Sequence, residues 1–492
     1  MLKSLIMLSA AGVKPVDEDG RPIKNLEIVP IIIDPHKSNE DLKRTEQMLT
    51  EYCLIREKLY GREVNGDGFF ANKISTLRSI MGMTATPISD SFIFNMEAVG
   101  QSKFRNFIGY DTMNEPNQAL TSLLFADYQL ENKMNIGFVG SPNIGSVALN
   151  MIKDSEEFKA FANVFGDGDR IFFISSIFGG TGAAGFPILV KNIRQAENLE
   201  VSNKNFLRQA PIGGLTVLPY FNLNNSQGKS IDKADFVVKT QSALQYYNET
   251  LTGSGDRSVN AIFYLGDQTS SIPYDYDPGN IRDQHNPAHL VEMVGAMAVL
   301  KFAGMNDDQF RDGMGGFAPT RAFEYGLDKD LLDVNFTTFG QETRNLIYRP
   351  MVKFHMLFIY LRTALRGVIG QGFTQDEPKL KSDFVTSQFY RTLTDQFFDF
   401  YAEWLTEMHQ NLRHVELFNV GENSFANAIN GVITKKGFFG RKTVDANTFL
   451  AELNKLSRDN KKYSDRTVEY KLLDLFNEAA GNILEDKFEN IN

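Results

Sequence analysis

Short apolar, β-branched runs alternate with longer amphipathic stretches along the first 285 residues of the chain. This alternation is typical of a parallel sheet with helices on both faces, because parallel strands are buried on both sides. The sequence therefore predicts an α/β fold of the Rossmann type. Each run ends in a polar or glycine-rich turn, and the ligands of such sheets bind at these turns. The predicted strands are Glu27–Ile33, Asn135–Val139, Arg170–Ser175, Gly213–Leu218 and Asn260–Leu265.

The pattern changes to helical periods after residue 285. Asn286 and Pro287 are predicted to open a helix that runs to about Gly304. Its apolar positions cover most of its circumference, which suits burial between two layers. We interpret it as a central spine helix. The predicted parts of the chain are a sheet domain (1–285), the spine helix (286–304) and a helix-rich C-terminal α+β domain (305–492).

The C-terminal part carries many aromatic residues at helical spacing. Two long helices are predicted there, Asp383–Leu412 and Arg466–Phe488. Such a pattern indicates a packed core or an oligomer contact rather than a cofactor site. We therefore expect the C-terminal helices to be the part of the chain that a protein partner would contact.

Composition narrows the class of protein. Lys and Arg number 51 against 61 Asp and Glu, and the net charge of −10 argues against a nucleic-acid partner. The single cysteine, Cys53, excludes an internal disulfide framework and indicates a reducing, cytoplasmic location.

Three other features of the chain receive no functional assignment. The apolar run at Met1–Leu8 is too short for a signal peptide. The run Met356–Ile369 contains two arginines and is too short to span a bilayer, so a buried helix is predicted there instead. The histidines lack the paired spacing of metal ligands, and no zinc site is predicted.

The most distinctive turn is glycine-rich and lies between a predicted strand and a predicted helix. Gly179, Gly180 and Gly182 surround Thr181, which adds a hydroxyl donor. Glycines let the backbone approach an anion closely, and the free N–H groups at a helix start then point at it. The turn therefore predicts a phosphate-binding loop. A tight strand-to-helix turn without a ligand is the alternative.

A second turn of this kind follows the predicted strand Asn135–Val139. It contains Gly140, Ser141, Asn143 and Gly145 and again leads into a helical segment. Two such turns in one sheet indicate a nucleotide more strongly than either turn alone.

These residues resemble a known family. The Gly-Gly-Thr-Gly run at 179–182 is similar to the signature loop of the tubulin/FtsZ superfamily, and the GxPxxG turn at 140–145 resembles a second loop of the bacterial division protein. Phe178 and Ala183-Ala184 depart from the family signature. The resemblance implies a tubulin-like fold that binds GTP with Mg²⁺, with Asp34 near the metal. The turn Leu218–Phe221 also resembles one of the family's loops.

Base recognition is predicted at the end of the strand Asn260–Leu265. Guanine presents N–H donors, which a carboxylate or amide oxygen accepts. Asp267 and Gln268 stand where the family reads the base, and Asn286 opens the central helix. The resemblance implies that these three residues bind the nucleotide. A turn capped by Asp267 is the alternative.

The resemblance also implies how GTP would be hydrolysed. In this superfamily the loop after the central helix supplies an acid to the nucleotide of the next subunit, so hydrolysis accompanies filament formation. Asp308 and Asp312 occupy that loop here and are the predicted catalytic residues. The expected function is therefore that of a self-assembling GTPase.

One family element is missing from this sequence. The superfamily begins with a strand and a glycine-rich loop, whereas this chain starts at Met1–Leu8, which resembles the helix that follows that loop. A start that lies too far downstream is one interpretation. The other is a nucleotide-independent scaffold with a tubulin-like shape. A dinucleotide-dependent oxidoreductase is disfavoured because the chain has no clean GxGxxG motif.

Overall fold

The structure is a computed structural model of the 492-residue chain. It describes residues 1–490 except for 37–38, 83–87, 97–98, 100–101, 139, 222, 225–232, 254–256, 269–273, 276–285, 326–327, 329, 420, 422–423, 438–439 and 459.

The α-helices and strands of the described residues are numbered separately in chain order. The helices are α1 (Leu2–Ala10), α2 (Glu40–Tyr60), α3 (Leu77–Met81), α4 (Phe104–Phe107), α5 (Glu115–Leu124), α6 (Asp127–Leu130), α7 (Pro142–Asn150), α8 (Glu156–Val164), α9 (Gly180–Arg194), α10 (Lys204–Gln209), α11 (Lys233–Tyr247), α12 (Leu290–Gly304), α13 (Gln341–Thr363), α14 (Leu365–Val368), α15 (Gln388–Arg391), α16 (Phe398–His409), α17 (Ala446–Leu456) and α18 (Val468–Lys487). The strands are β1 (Glu27–Ile28), β2 (Lys73–Ile74), β3 (Ile171–Ser176), β4 (Ile212–Val217), β5 (Leu223–Asn224), β6 (Ala261–Leu265), β7 (Tyr274–Asp275), β8 (Arg321–Tyr325), β9 (Asp333–Val334), β10 (His414–Val415), β11 (Lys436–Gly437) and β12 (Gly440–Arg441).

A four-stranded parallel sheet organises the fold. Its strands lie in the order β3, β4, β6 and β8, and each crossover contains helices. Three of the predicted strands are confirmed to within one residue at each end. The fourth strand, β8, follows the central helix in sequence, so the sheet takes one strand from the C-terminal part of the chain.

Helices cover both faces of the sheet. On one face Phe186 of α9 packs against Phe173 of β3, and on the other Phe302 of α12 packs against Phe172. The central strand β4 makes room for these rings with two glycines. A Cβ on Gly214 would lie 2.2 Å from the Phe186 ring, and one on Gly213 would lie 2.9 Å from Phe302. The sheet is therefore a thin layer between two aromatic cores.

Two of the predicted strands are wrong in whole or in part. In the predicted strand Asn135–Val139, Val139 lies outside the described residues, and residues 135–138 form no strand, because a 3₁₀ turn covers Met134–Ile136 and Gly137 follows with a φ of +91°. Within Glu27–Ile33 only Glu27–Ile28 is a strand, and a single bridge joins Ile32 to Ile93. A run of apolar residues does not specify a strand unless a neighbouring strand accepts its backbone hydrogen bonds.

The central helix is confirmed, although it starts later than predicted. It begins at Leu290, where the His289 side chain accepts a hydrogen bond from the Val291 N–H at 3.0 Å. It is buried on nearly all sides, against the sheet, α1 and the C-terminal helices. Asn286 lies ahead of the helix, and its carbonyl accepts a hydrogen bond from buried Lys3 at 2.7 Å.

The C-terminal part is helix-rich, as predicted. The helix predicted at Arg466–Phe488 is confirmed as α18. The helix predicted at Asp383–Leu412 is confirmed over Gln388–His409, where a π-helical segment, Thr392–Phe397, joins α15 to α16, but a separate 3₁₀ turn at Phe384–Thr386 takes the place of its first turn. The aromatic residues of this region form core. Met356 lies within buried α13, and no helix in the described part of the chain has the length and hydropathy of a membrane span.

Candidate functional site

The two glycine-rich turns lie in contact at the carboxyl edge of the sheet. The first turn leaves β3, and α9 begins at Gly180. A Cβ on Gly180 would lie 3.2 Å from the backbone nitrogen of Gly140 and 3.0 Å from the Cβ of Phe138. A Cβ on Gly145 would lie 2.7 Å from the Gly180 carbonyl oxygen. The sequence separates these turns by about 40 residues, and the fold places them side by side.

Neither of the two helices that begin here is capped by the side chain of its N-cap residue. Gly179 precedes α9 and Ser141 precedes α7, and among the described residues neither position supplies a side chain that accepts a hydrogen bond from the first turn of its helix. The first N–H groups of a helix have no partner within the helix, and they carry its partial positive charge. In α7, however, Pro142 has no N–H group and the Ile144 N–H donates to the Asn143 side chain, so the start of α9 is the one whose N–H groups suit an anion such as a phosphate.

Several glycines of these turns have a packing role as well. A Cβ on Gly182 would lie 3.0 Å from backbone atoms of Ser176, so α9 approaches the end of β3 more closely than any other residue would permit. Gly140 has a φ of +67°, and no described atom lies within 4 Å of the position that a Cβ would take there. Thr181 is partly exposed in the first turn of α9. Gly140 therefore has open space at the position of a side chain, and Thr181 adds a partly exposed hydroxyl residue to the start of α9.

Asn143 has a structural role in this site. Its side-chain oxygen accepts hydrogen bonds from the N–H of Ile144 and the amide of Gln129, and its amide donates to the Leu124 carbonyl. Ser141 is buried, and its carbonyl accepts a hydrogen bond from Gly145. These contacts hold the turn against α5 and α6, and they engage the side-chain amide of Asn143 in hydrogen bonds within the protein.

Two further turns complete the edge. After β4, Phe221 packs edge-on against Phe178 of the glycine turn with ring centroids 5.5 Å apart. Tyr220 lies 4.8 Å from the ring of His289. Leu218 donates a backbone hydrogen bond to Leu265, which joins this turn to the end of β6. The turns of three neighbouring strands thus form one continuous surface.

Asp34 follows the apolar run at 27–33. Its side chain accepts a hydrogen bond from the His36 N–H at 2.7 Å. Burial raises the pKa of Asp34, although that hydrogen bond and His36 oppose the shift. The role of Asp34 near a metal stays a prediction.

Asp267 is committed to an ion pair. Both of its carboxylate oxygens lie 2.8 Å from the guanidinium of Arg413, and the two side chains are only 6% and 4% exposed. Burial opposes ionisation of Asp267, but hydrogen bonds from Arg413 and the Gln268 N–H outweigh it and lower the pKa of Asp267. An oxygen that already accepts from Arg413 is poorly placed to accept from guanine. Gln268, the other residue predicted to read the base, is exposed at this corner.

Arg413 is the residue that sequence reasoning missed at this corner. It lies 146 positions from Asp267, in a polar stretch after α16. It also donates hydrogen bonds to the carbonyls of Asp328 and Leu331. No local pattern marks such a residue, because its partners come from two distant segments.

The loop after the central helix lies at the opposite edge of the sheet. Arg170, just before β3, contacts Asp307 of this loop at 2.7 Å, and Arg311 donates to the Gln209 carbonyl, just before β4. The edge formed by the amino ends of the strands and the edge formed by their carboxyl ends are about 20 Å apart for strands of this length. Asp308 is exposed on this loop. It cannot reach the glycine turns of its own molecule.

Asp312 supports the fold of its own loop. Its Oδ1 accepts hydrogen bonds from the N–H groups of Met314 and Gly316, and its Oδ2 lies 3.5 Å from Arg257. These contacts close the tight turn between Asp312 and Gly316. Of the two predicted catalytic acids, Asp308 is therefore the one whose carboxylate faces solvent.

Comparisons of this chain with protein-family models, with curated proteins and with solved structures found no match. The structure shows a mixed α/β fold with a four-stranded parallel sheet, and a relation to the tubulin/FtsZ superfamily stays a proposal.

Proposed function

We propose that this protein is a tubulin-like GTP-binding protein that hydrolyses GTP at the contact between two copies of itself. The observation that carries the proposal is the start of α9 at Gly179–Gly182, which has no side-chain cap and meets the turn at Gly140–Ser141 on the carboxyl edge of a parallel sheet. Such an arrangement stabilises phosphate charge through backbone N–H groups and helix dipoles.

The roles of the site residues follow from their positions. The backbone of Gly179, Gly180 and Gly182 and the hydroxyl of Thr181 would hold phosphates from one side. Gly140 and Gly145 would shape the facing turn. Asp34 would contribute a carboxylate to Mg²⁺, which would neutralise phosphate charge. Gln268 would accept hydrogen bonds from guanine, next to the ion-paired Asp267, and Asn286 would also contact the nucleotide.

Hydrolysis would require a second molecule. Asp308 lies at the amino edge of the sheet, and the phosphate site lies at the carboxyl edge. A head-to-tail contact brings the two edges of neighbouring molecules together, and a repeated contact of this type produces a filament. In that arrangement Asp308 would orient the attacking water and accept its proton.

Exposed apolar side chains lie beside both edges. Leu123 of α5 is 85% exposed and Tyr128 of α6 is 74% exposed, next to the turn that Asn143 fastens. Met314, in the loop at the opposite edge, is 94% exposed. Exposed apolar residues at two opposite ends favour a heterologous contact between copies.

A nucleotide-independent scaffold is the second candidate. Phe178 occupies a signature position, and Asp267 and Asn143 are engaged within the protein, which favours that function. Calorimetric titration with GTP and ATP, together with thermal unfolding, distinguishes the two. A ligand at 100 times its Kd adds about 2.7 kcal/mol of stability. A GTP-binding protein gains this stability with GTP, whereas a scaffold gains none with either nucleotide.

Thr181→Glu tests the phosphate site. A carboxylate in the first turn of α9 satisfies the helix dipole and leaves the fold intact, but it repels phosphate. We expect GTP affinity to fall by about 30-fold or more, roughly 2 kcal/mol, with an unchanged or higher melting temperature. Asn447→Glu is the matched control, because Asn447 is exposed at the same position of α17. Unchanged GTP affinity in Thr181→Glu would contradict the assignment of the phosphate site.

Asp308→Ala tests hydrolysis at the contact between copies. We expect GTP turnover to fall while GTP affinity is retained, because Asp308 touches only a neighbour's nucleotide. Mixing Asp308→Ala with Thr181→Glu in equal amounts should restore about a quarter of the wild-type rate per chain. Half of the chains, those with Asp308→Ala, still bind GTP, and half of these have a Thr181→Glu neighbour that supplies an intact Asp308. Phosphate release measures the rate. Equal loss of binding and turnover in Asp308→Ala, or no recovery on mixing, would refute this role.

A further inference from the structure

Two histidines and a glutamate converge on the surface at the end of α16. The nitrogen and oxygen atoms that His409, His414 and Glu416 offer as ligands all lie within 4.8 Å of one another. The Nδ1 of His409 is 3.1 Å from Oε1 of Glu416, and the two imidazole rings stand nearly perpendicular with centroids 5.4 Å apart. None of the predicted nucleotide-binding or catalytic residues belongs to this cluster.

Local backbone structure produces this convergence. His409 is the last residue of α16, and the chain then turns into β10. His414 and Glu416 are two positions apart on an extended segment, so their side chains leave the same face. Arg413 lies between the helix and this face and is directed the other way, to Asp267. The carbonyl end of α16 adds partial negative charge beside His409, which favours a cation.

The donor set and its spacing fit a zinc-class ion. Zinc binds imidazole nitrogen at about 2.0–2.1 Å and carboxylate oxygen at about 2.0–2.2 Å, so two ligand atoms of a tetrahedron lie roughly 3.3–3.5 Å apart. The His409–Glu416 separation is already close to this value. His409 and Glu416 are 51% and 38% exposed, which leaves their side chains free to adjust by about an ångström.

We propose that His409, His414 and Glu416 bind one divalent ion of the zinc class, with water in the fourth position. Nitrogen donors favour zinc, cobalt or nickel over magnesium and calcium. The bound ion would link the end of α16 to β10. Because Arg413 immediately precedes β10, the ion would also help to hold Arg413 in contact with Asp267. The spacing H-x₄-H-x-E was not recognisable in the sequence as a metal motif, because its ligands come from a helix end and a strand.

Other side chains offer little competition for zinc. Burial raises the pKa of the Cys53 thiol to about 12, so it stays protonated. The described histidines outside the cluster, His36, His289 and His355, are buried. Among the described residues, this cluster is therefore the expected site of a zinc-class ion.

The test is a titration of the full chain with Zn²⁺ in excess Mg²⁺, read by calorimetry and by thermal unfolding. We expect one site with a Kd below about 10 μM and a Zn²⁺-dependent rise in melting temperature. Co²⁺ in place of Zn²⁺ should give the visible absorption of a tetrahedral site. His414→Ala and His409→Gln should each weaken binding by about 30-fold or more. Gln410→Ala, which changes an exposed neighbour that is not a ligand, should leave the affinity unchanged.

Either of two results would overturn the proposal. One is the absence of a one-to-one site below about 10 μM in a folded wild-type chain. The other is equal Zn²⁺ affinity in the wild type and in both histidine variants. Circular dichroism without metal shows whether each histidine variant is folded. If one of the two variants misfolds, the Zn²⁺ affinity of the other still tests the proposal.

Discussion

Arg413→Ala should lower the free energy of unfolding by about 3–5 kcal/mol, because it leaves the Asp267 carboxylate buried without its counter-ion. The two side chains form a bidentate pair with both contacts at 2.8 Å and with almost no solvent exposure. Arg413 also donates hydrogen bonds to the carbonyls of Asp328 and Leu331, which lose this donor in the variant. Urea unfolding at neutral pH measures the loss.

Two controls separate this effect from a general loss of charge. Arg349 pairs with Glu485 at 2.7 Å, but both side chains are at least half exposed, so Arg349→Ala should cost no more than about 1 kcal/mol. Adding Asp267→Asn to Arg413→Ala should recover part of the loss, because the double variant no longer buries a charge. A cost below about 1 kcal/mol for Arg413→Ala would show that the pair contributes little to the fold.

Acidification should destabilise the protein through two buried histidines. Burial lowers the pKa of His289 to about 4 and that of His355 to about 3. Both values lie below the usual 6.5, so the unfolded chain takes up protons first as the pH falls. The stability associated with these neutral rings is complete above about pH 6.5 and is lost progressively from there toward pH 4 and 3.

His355→Phe isolates one of these contributions. The His355 ring stacks on Phe418 with centroids 4.0 Å apart, a position that another aromatic ring fills. Between pH 7.5 and 5.0 we expect the variant to lose about 2 kcal/mol less stability than the wild type, since one titrating group is gone. Denaturant unfolding at both pH values gives the difference.

Tyr401→Phe is the matched control for the His355 experiment. The Tyr401 hydroxyl is 3.3 Å from Nδ1 of His355, and its removal takes away the contact but keeps the titrating ring. This variant should be less stable at both pH values, with the wild-type dependence on pH. A His355→Phe variant with the full wild-type pH dependence would mean that His355 titrates freely in the folded protein.

The amino-acid sequence by itself determined the central strands and the main helices. β3, β4 and β6 are strongly apolar runs whose ends carry turn residues, so local pattern and tertiary environment agree there. The central helix α12 is apolar on all sides and has no alternative to burial. The glycine turns were also recognisable, since helix-start glycines after a strand have a local signature.

Only the tertiary structure decided which polar side chains are engaged within the protein. Asp267 and Asn143 carry no local sign of a structural role, but Arg413 and Gln129 bind them from other segments of the chain. The same holds for Asp308, whose distance from the glycine turns depends on which edge of the sheet its loop contacts. The side chains of His409 and His414 meet because a helix end and a strand bring them together. These outcomes depend on long-range contacts, and a local pattern does not encode them because each partner is chosen by the packing of the whole chain.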